Sequence, residues 1–206
     1  MKNLIFIGAP GSGKGSVAKL LKQHGYKHIS TGDLLRAEVA KGTQLGLEIN
    51  ELISKGKFVD DKLSSKLTEN NLNQSELFIL DGYPRNVNQA QIFDKFCRVD
   101  FLVIYFDISK EELVDRLVNR VSCPSCGEIY NLKFKSPQVE NTCDKCHSTL
   151  SKRSDDSLEF LDKRFELFNQ YNSPLLDHYK NRIIKVDASK RSDLVVLDIL
   201  NAIKSK

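Results

Sequence analysis

No apolar stretch in this 206-residue chain approaches the ~20 residues that a membrane-spanning helix needs; the longest runs from Phe101 to Phe106. Nor does the apolar start, Met1 to Ile7, complete a secretory signal, because Gly8, Pro10, Gly11, Gly13 and Lys14 cut it short. A cytoplasmic protein without membrane association is therefore expected. Excess charge is small: 31 basic against 27 acidic residues leave +4. A pI near 8.7 permits an anionic substrate without demanding nucleic acid. Internal repeats and low-complexity linkers are missing as well. With 40% hydrophobic and 28% charged residues, the chain is neither disordered nor collagen-like. Its length suits one principal domain with insertions, or at most two domains.

What is present is an alternation. Short apolar, β-rich runs occur at Leu4 to Ile7, His28-Ile29, Leu77 to Leu80, Phe101 to Phe106 and Ile183 to Val186, with helical patterns between them. Strand, helix, strand in that order predicts an α/β fold with a parallel sheet covered on both faces. Thr31-Gly32-Asp33 opens a helix that ends near Gly42; Thr43 to Lys55 reads as another, stopped by Gly56, and Asp60 or Asp61 caps the next. Ser109-Lys110-Glu111-Glu112 has the form of a capping box, with Leu113 and Leu117 on one face of the helix it starts. Two stretches break the alternation and read as insertions: residues 30 to 59, helical without a strand, and residues 121 to 156, turn-rich and holding four of the five cysteines.

Four motifs carry chemistry. Gly8-Ala9-Pro10-Gly11-Ser12-Gly13-Lys14-Gly15-Ser16 follows a predicted strand and precedes the amphipathic helix of Val17, Leu20 and Leu21, the setting of a phosphate-binding loop. Glycines let backbone N–H groups close round an anion, the helix N-terminus adds its dipole, and Lys14 brings a mobile charge to terminal phosphates. A glycine-rich turn that merely packs strand on helix is the bland alternative. Gly15 stands where Ser or Thr usually holds magnesium, and the hydroxyl comes one residue later, at Ser16. The second motif, Leu77 to Arg85, ends a buried strand in Asp81, at the edge where open parallel sheets bind ligands. Asp81 can orient magnesium through water, and Arg85 can clamp phosphate bidentately. The competing reading makes Asp81 a helix cap and Arg85 a surface residue.

The third is an arginine set. Arg116 and Arg120, four apart, are expected on one helix face, while Arg153 and Arg164 flank the far side of the cysteine-rich insertion. Four arginines round one insertion suggest a flap that carries positive charge over phosphates, although single exposed arginines are usually just solvated. Fourth, Cys123-Pro124-Ser125-Cys126 and Cys143-Asp144-Lys145-Cys146 have zinc-ribbon spacing. Four thiolates would close a tetrahedron round Zn²⁺ and staple a segment too short for its own core. Disulfides and unligated thiols are the alternatives, and His147 competes with Cys146 for the fourth position. Cys97 is expected to be a lone helix cysteine, and His24, His28 and His178 form no ligand spacing.

Taken together, these residues resemble the bacterial-type adenylate kinases with a zinc-bearing lid. The likeness rests on GAPGSGKGS at 8 to 16, STGDLLR at 30 to 36, GKFV at 56 to 59, DGYPR at 81 to 85 with Gln89, DRLVNR at 115 to 120, CPSCG at 123 to 127, and RSDD at 153 to 156 with Arg164. The displaced hydroxyl at Ser16 is itself typical of that family. The resemblance implies a P-loop NTPase-like, five-stranded parallel sheet flanked by helices. The core would take residues 1–29, 60–120 and 157–206, with a nucleoside-monophosphate-binding insertion at 30–59 and a zinc lid at 121–156. It also implies reversible, Mg²⁺-dependent transfer of a phosphoryl group, ATP plus AMP to two ADP, by a monomer.

By the same resemblance, Gly11, Ser12, Gly13, Lys14, Gly15 and Ser16 would cradle the ATP phosphates, with Arg116, Arg120 and Arg164 also on ATP. Thr31, Gly32, Arg36, Gly82 and Arg85 would hold AMP, and Gln89 with the backbone of Lys57, Phe58 and Val59 would read its base. Asp81, with Asp33, would order the magnesium waters, and Arg153 would engage the transferring group. Lys14, Arg85, Arg120, Arg153, Arg164 and Asp81 would then carry catalysis, and Cys123, Cys126, Cys143 and Cys146 the structural zinc. The chain departs from the common pattern at Ser16, Val17, Val121 and Asn131. Kinases for other nucleoside monophosphates share this design. A zinc-ribbon nucleic-acid binder does not fit, because residues 121 to 158 carry five basic side chains against five acidic ones and so form no basic patch.

Overall fold

The structure, a computed structural model, describes residues 1–55, 57–153, 156 and 158–205. Gly56, expected as a helix stop, and Ser154 and Asp155 of the RSDD motif lie outside the described residues. Seven strands are present among the described residues: β1 (Asn3–Gly8), β2 (Lys27–Ser30), β3 (Phe78–Asp81), β4 (Phe101–Asp107), β5 (Arg120–Ser122), β6 (Ile129–Asn131) and β7 (Ile183–Asp187). Eight α-helices accompany them: α1 (Lys14–Leu21), α2 (Thr31–Ala40), α3 (Gln44–Ser54), α4 (Asp61–Asn71), α5 (Val87–Phe96), α6 (Lys110–Val118), α7 (Leu158–His178) and α8 (Ser192–Lys204).

Five strands form one parallel sheet, as the alternation predicts, and the structure gives their order as β2-β3-β1-β4-β7. Side chains on successive strand residues point to opposite faces, and this sheet buries both. Leu4 and Phe6 of β1 join a cluster with Val17, Ala18 and Leu21 of α1 and Val195, Val196 and Ile199 of α8. Ile5 and Ile7 join Phe93 of α5 and Leu175 of α7 on the other side. No polar residue could be tolerated along the middle of β1, which explains why the run reads as continuous rather than alternating.

The strand order places the site. Chain direction reverses its lateral path at β1, since β3 pairs on one side and β4 on the other, and ligands bind such sheets beyond the carboxyl ends of strands at that point. Register aligns Phe6 with Asp81, Ser30 with Asp81, and Gly8 with Phe106. The glycine loop, the start of α2 and the carboxylate that ends β3 therefore share one rim.

Local signals at the helix starts act as expected. Ser30 caps α2 by accepting from Asp33 N at 3.2 Å, and Thr43 caps α3 by accepting from Gly46 N at 3.0 Å. Asp60 caps α4, its Oδ1 accepting from both Lys62 N and Leu63 N. Ser109 caps α6 through Glu112 N at 3.3 Å. Gly46 in the first turn of α3 has a packing reason: a Cβ there would lie 2.7 Å from Glu38 O, so only glycine lets α3 lie this close to α2. Leu35, Ile49 and Val59 are the buried centre of this helical stretch, and Leu63 and Leu67 of α4 pack against it.

One expectation is overturned. Arg116 and Arg120 do not share a helix face, because α6 stops at Val118 and Arg120 opens β5. Asn119 takes the turn: its side-chain amide donates to Asp115 O at 2.8 Å, while its own carbonyl accepts from Leu132 N of the returning chain at 2.9 Å. Antiparallel pairing of β5 with β6, Arg120 opposite Asn131, captures a backbone that i,i+4 spacing alone would have continued as helix. Cys97 likewise lies just past α5, as its C-cap.

Candidate functional site

The turn after β1 is built from conformations that side chains resist. Gly11 and Gly13 have φ of 85° and 90°, and a Cβ on Gly11 would stand 2.8 Å from Leu117. Lys14 folds back into this turn, donating to Gly8 O at 2.7 Å, Ala9 O at 3.0 Å and Ser12 Oγ at 3.2 Å. Ser12 is itself buried. Burial lowers the Lys14 pKa to about 8; Asp81 pulls it upward, and Arg85, Arg164 and Arg120 push it down. Four of the expected side chains thus act electrostatically on one ammonium. A Cβ on Gly15 would lie in ordinary contact, 3.7 Å, with Asp81 Oδ2, so the residue after Lys14 faces the carboxylate. Ser16 is exposed.

Asp81 has a partner that sequence spacing did not reveal. His28 Nε2 lies 3.2 Å from Asp81 Oδ2, both side chains being about one-eighth exposed. Burial alone would raise the Asp81 carboxyl pKa, but the His28 hydrogen bond and the charges of Lys14 and Arg85 outweigh it and hold the group below its ordinary range. Asp33, by contrast, faces Arg36 at 2.5 Å on the exposed side of α2. His28 is brought to Asp81 by the pairing of β2 with β3, a contact between strands fifty residues apart for which no local motif exists.

Beside Asp81 lies a pocket lined by Thr31, Leu35, Phe58, Val59, Ser64, Gly82, Arg85 and Gln89. Six of these were expected on the same ligand; Leu35 and Ser64 were not. Thr31 is buried, its hydroxyl 3.4 Å from that of Thr68. Gly82 has a φ of 78°, and a Cβ there would stand 3.1 Å from Arg85 Nη2; at Gly32 the same clash would come from Arg36 Nη2, also at 3.1 Å. A side chain at either position would crowd a guanidinium, that of Arg85 beyond β3 and that of Arg36 one turn along α2. Arg85 donates through Nε to Gly82 O at 2.8 Å and stands 5.4 Å from the centre of the Phe58 ring. Arg36 and the exposed Lys57 stand outside the pocket lining.

The remaining arginines reach the loop from three directions. Arg116 donates to Ser189 O at 3.1 Å, and its Nη1 lies 3.7 Å from where a Gly13 Cβ would be. Arg120, from β5, grips Asp156 with two hydrogen bonds of 2.7 and 2.5 Å. Arg164, from α7, reaches the same carboxylate at 3.0 Å. The Asp156 side chain is only 2% exposed, so it is a buried anion shared by two cations. Arg153 precedes it, with Asp156 N donating to Arg153 O.

The four cysteines converge. Their Sγ atoms lie within 4.8 Å of one another, with Cys123 to Cys146 at 3.3 Å and Cys126 to Cys143 at 3.6 Å. Those separations are too long for S–S bonds of about 2.05 Å and close to the roughly 3.8 Å between thiolates on a tetrahedral zinc with Zn–S near 2.3 Å. Each C-x-x-C pair sits in a matching turn: Gly127 N donates to Cys123 O, and His147 N donates to Cys143 O. Gly127 and His147 occupy equivalent left-handed positions, with φ of 71° and 60°. His147 thus fills a turn and is exposed, whereas the Cys146 Sγ lies in the cluster with the other three thiols. Among the described residues, the buried cluster here holds Val121, Tyr130 and Leu150 besides cysteines, a small core of the kind that metal sites commonly staple. Glu128, just after the first turn and opposite Cys123, pairs with Lys19 of α1 and with Lys135 at 3.0 Å. The cysteine hairpin therefore rests against the helix that follows the glycine loop.

Comparison with known proteins agrees with this geometry. The family model described as adenylate kinase matches residues 6–184. The chain is 40% identical to an adenylate kinase of Ureaplasma urealyticum, with 98% of both chains covered. It is 39% identical to one of Caldanaerobacter subterraneus subsp. tengcongensis, covering 97% of this chain and 95% of that one. For an adenylate kinase of Thermosipho africanus the figures are 38%, 98% and 99%. A glycine loop closed on Lys14, a carboxylate between that loop and a second pocket, and similarity along nearly the whole length all point one way: the chain belongs to the adenylate kinase family, and is a nucleoside monophosphate kinase.

Proposed function

We propose that this enzyme transfers a phosphoryl group between ATP and AMP in the cleft between the glycine loop and the Arg85 pocket, with Asp81 at its centre. The observation that carries the assignment is the convergence of Lys14, Asp81, Arg85, Arg120 and Arg164 within one electrostatic neighbourhood. Gly11 to Ser16 would wrap the ATP phosphates with backbone N–H groups, while Arg116, Arg120 and Arg164 draw charge from the triphosphate. Thr31, Gly32, Arg36, Gly82 and Arg85 would fix AMP with its phosphate facing the loop, and Val59, Phe58 and Gln89 would receive its base.

Phosphoryl transfer passes through a loose transition state, so protein groups contribute by position and charge rather than by covalent chemistry. Lys14 would follow the transferred group, Arg85 would hold the acceptor oxygen in line, and Arg120, Arg153 and Arg164 would balance charge on the equatorial oxygens. Asp81 suits Mg²⁺, a hard cation that keeps several waters and takes one or two carboxylates. When bound, the ion neutralises charge between the phosphates. Zinc on Cys123, Cys126, Cys143 and Cys146 has no open position for catalysis, so its role is to give the hairpin a fixed shape. We also infer the division into a core, a 30–59 insertion and a 121–156 lid. The two insertions close on the core to keep water from the transferring group.

The test is a coupled assay with MgATP and AMP, GMP, UMP or CMP as acceptor. ADP formation with AMP at a kcat/KM well above the other three is expected; equal or better use of another acceptor would reassign the enzyme.

A further inference from the structure

Gln89 is 2% exposed, and its carboxamide is held at both ends. Oε1 accepts from the Arg85 backbone N–H at 2.8 Å, and Nε2 donates to Asp61 Oδ1 at 2.8 Å. Asp61, the first residue of α4, also accepts from Asn86 Nδ2 at 2.9 Å and from Asn88 Nδ2 at 2.7 Å. Because Asp60 already caps the helix, the Asp61 carboxylate is given over to the 86–89 turn. Burial on its own would raise the Asp61 pKa, but hydrogen bonds from Asn88, Asn86 and Gln89 outweigh it and hold the carboxyl below its ordinary range. At neutral pH it is an anion.

A primary amide has nearly the same shape at its two ends and opposite chemistry: turning it by half a rotation exchanges donor for acceptor. An ionised carboxylate only accepts, and a backbone N–H only donates. Were the Gln89 amide turned, its oxygen would face Asp61 and its NH₂ would face the Arg85 N–H, so two hydrogen bonds would become two repulsions. The amide therefore has one sense. In that sense, among the described residues, one N–H and one carbonyl lone pair are left for a ligand, with their positions in space fixed. Adenine offers an acceptor at N1 beside a donating 6-amino group. A 6-oxopurine offers the reverse, a donating N1–H beside an accepting oxygen.

We propose that Asp61 is a specificity-determining positioning residue, which fixes the sense of the Gln89 amide so that the pocket accepts a 6-aminopurine nucleotide and rejects a 6-oxopurine one. This rests on the reading of Gln89 as a contact of the base. Inosine monophosphate is the right probe, because it differs from AMP only in the edge at issue and lacks the extra 2-amino group of GMP.

The experiment compares kcat/KM for AMP and for inosine monophosphate, at saturating MgATP, in the unaltered enzyme, Asp61→Ala, Asp61→Asn and Gln89→Ala. Asp61→Ala should lose about tenfold or more of the AMP preference, the scale of misplaced buried hydrogen bonds, with an unchanged KM for ATP. Asp61→Asn should lose less, since a neutral amide can offer either end to Gln89. If Asp61→Ala does not fold, Asp61→Asn carries the test through the same ratio. A merely structural role would lower both kcat/KM values together and leave the ratio unmoved, which would overturn the proposal. If the ratio collapses in Gln89→Ala but holds in both Asp61 variants, the role of Gln89 stands and that of Asp61 falls. If Gln89→Ala leaves the ratio intact, the base-reading assignment fails and takes the proposal with it.

Discussion

Raising the pH from 7 to 9 should weaken ATP binding through one group, Lys14. Its ammonium is desolvated and sits among Arg85, Arg164 and Arg120, which brings its pKa to about 8 despite the opposing charge of Asp81. Triphosphate beside that ammonium favours the protonated form, so nucleotide binding raises the Lys14 pKa and takes up a proton wherever the free protein has lost it. For a group titrating near 8, the protonated share falls from about nine-tenths at pH 7 to about one-tenth at pH 9. If only the protonated form binds well, the apparent Kd for ATP rises about tenfold over that range, or about 1.4 kcal/mol. Calorimetric titration with ATP at pH 7, 8 and 9, in buffers of different ionisation enthalpy, reads both the affinity and the proton uptake. Lys14→Met should bind ATP more weakly and with no such slope. A Kd unchanged between pH 7 and 9, or a slope that survives in Lys14→Met, would refute the reasoning.

Three further outcomes follow from the site. Arg120→Ala should lower kcat by about 10³-fold or more, the scale of arginines that stabilise a transferring phosphoryl group, and near-normal turnover would remove it from the mechanism. Asp156→Ala removes the buried carboxylate that Arg120 and Arg164 share, their side chains being only 14% and 19% exposed. A loss of about 2 kcal/mol is expected, a melting temperature lower by about 4–8 °C by differential scanning calorimetry; a shift under a degree would mean the pair has another compensation. Chelation of zinc, or Cys123→Ser, should lower the melting temperature and raise amide exchange across residues 121–151, with one zinc per chain found by elemental analysis beforehand. Protein purified without chelator and free of zinc would count against the cysteine site.

How much of this was legible beforehand depends on the range of the interaction. The glycine loop, Lys14 and the four cysteines are local patterns, in which a fixed spacing nearly dictates geometry. Five strands and their parallel direction could be read because each is short, apolar and bounded by turns, whereas their lateral order came from the fold. Arg116 and Arg120 show the limit: i,i+4 spacing places two residues on one helix face only while the helix lasts, and the β5–β6 pairing ended it at Val118. Asp61 shows another, since Asp60 and Asp61 were equivalent as caps until the fold brought Asn86, Asn88 and Gln89 against one of them.

The sequence by itself determined the class of chemistry, because glycines with a lysine bind phosphate, and paired C-x-x-C turns bind zinc, through contacts made within a few residues of chain. Tertiary structure alone decided which charges meet. His28 reaches Asp81 only because β2 lies beside β3, Asp156 unites two arginines from separate elements, and Asp61 finds Gln89 across the start of α4. Each of these contacts joins groups that the chain separates by between 8 and 53 residues, so the packing of separate elements, not local spacing, brings them together.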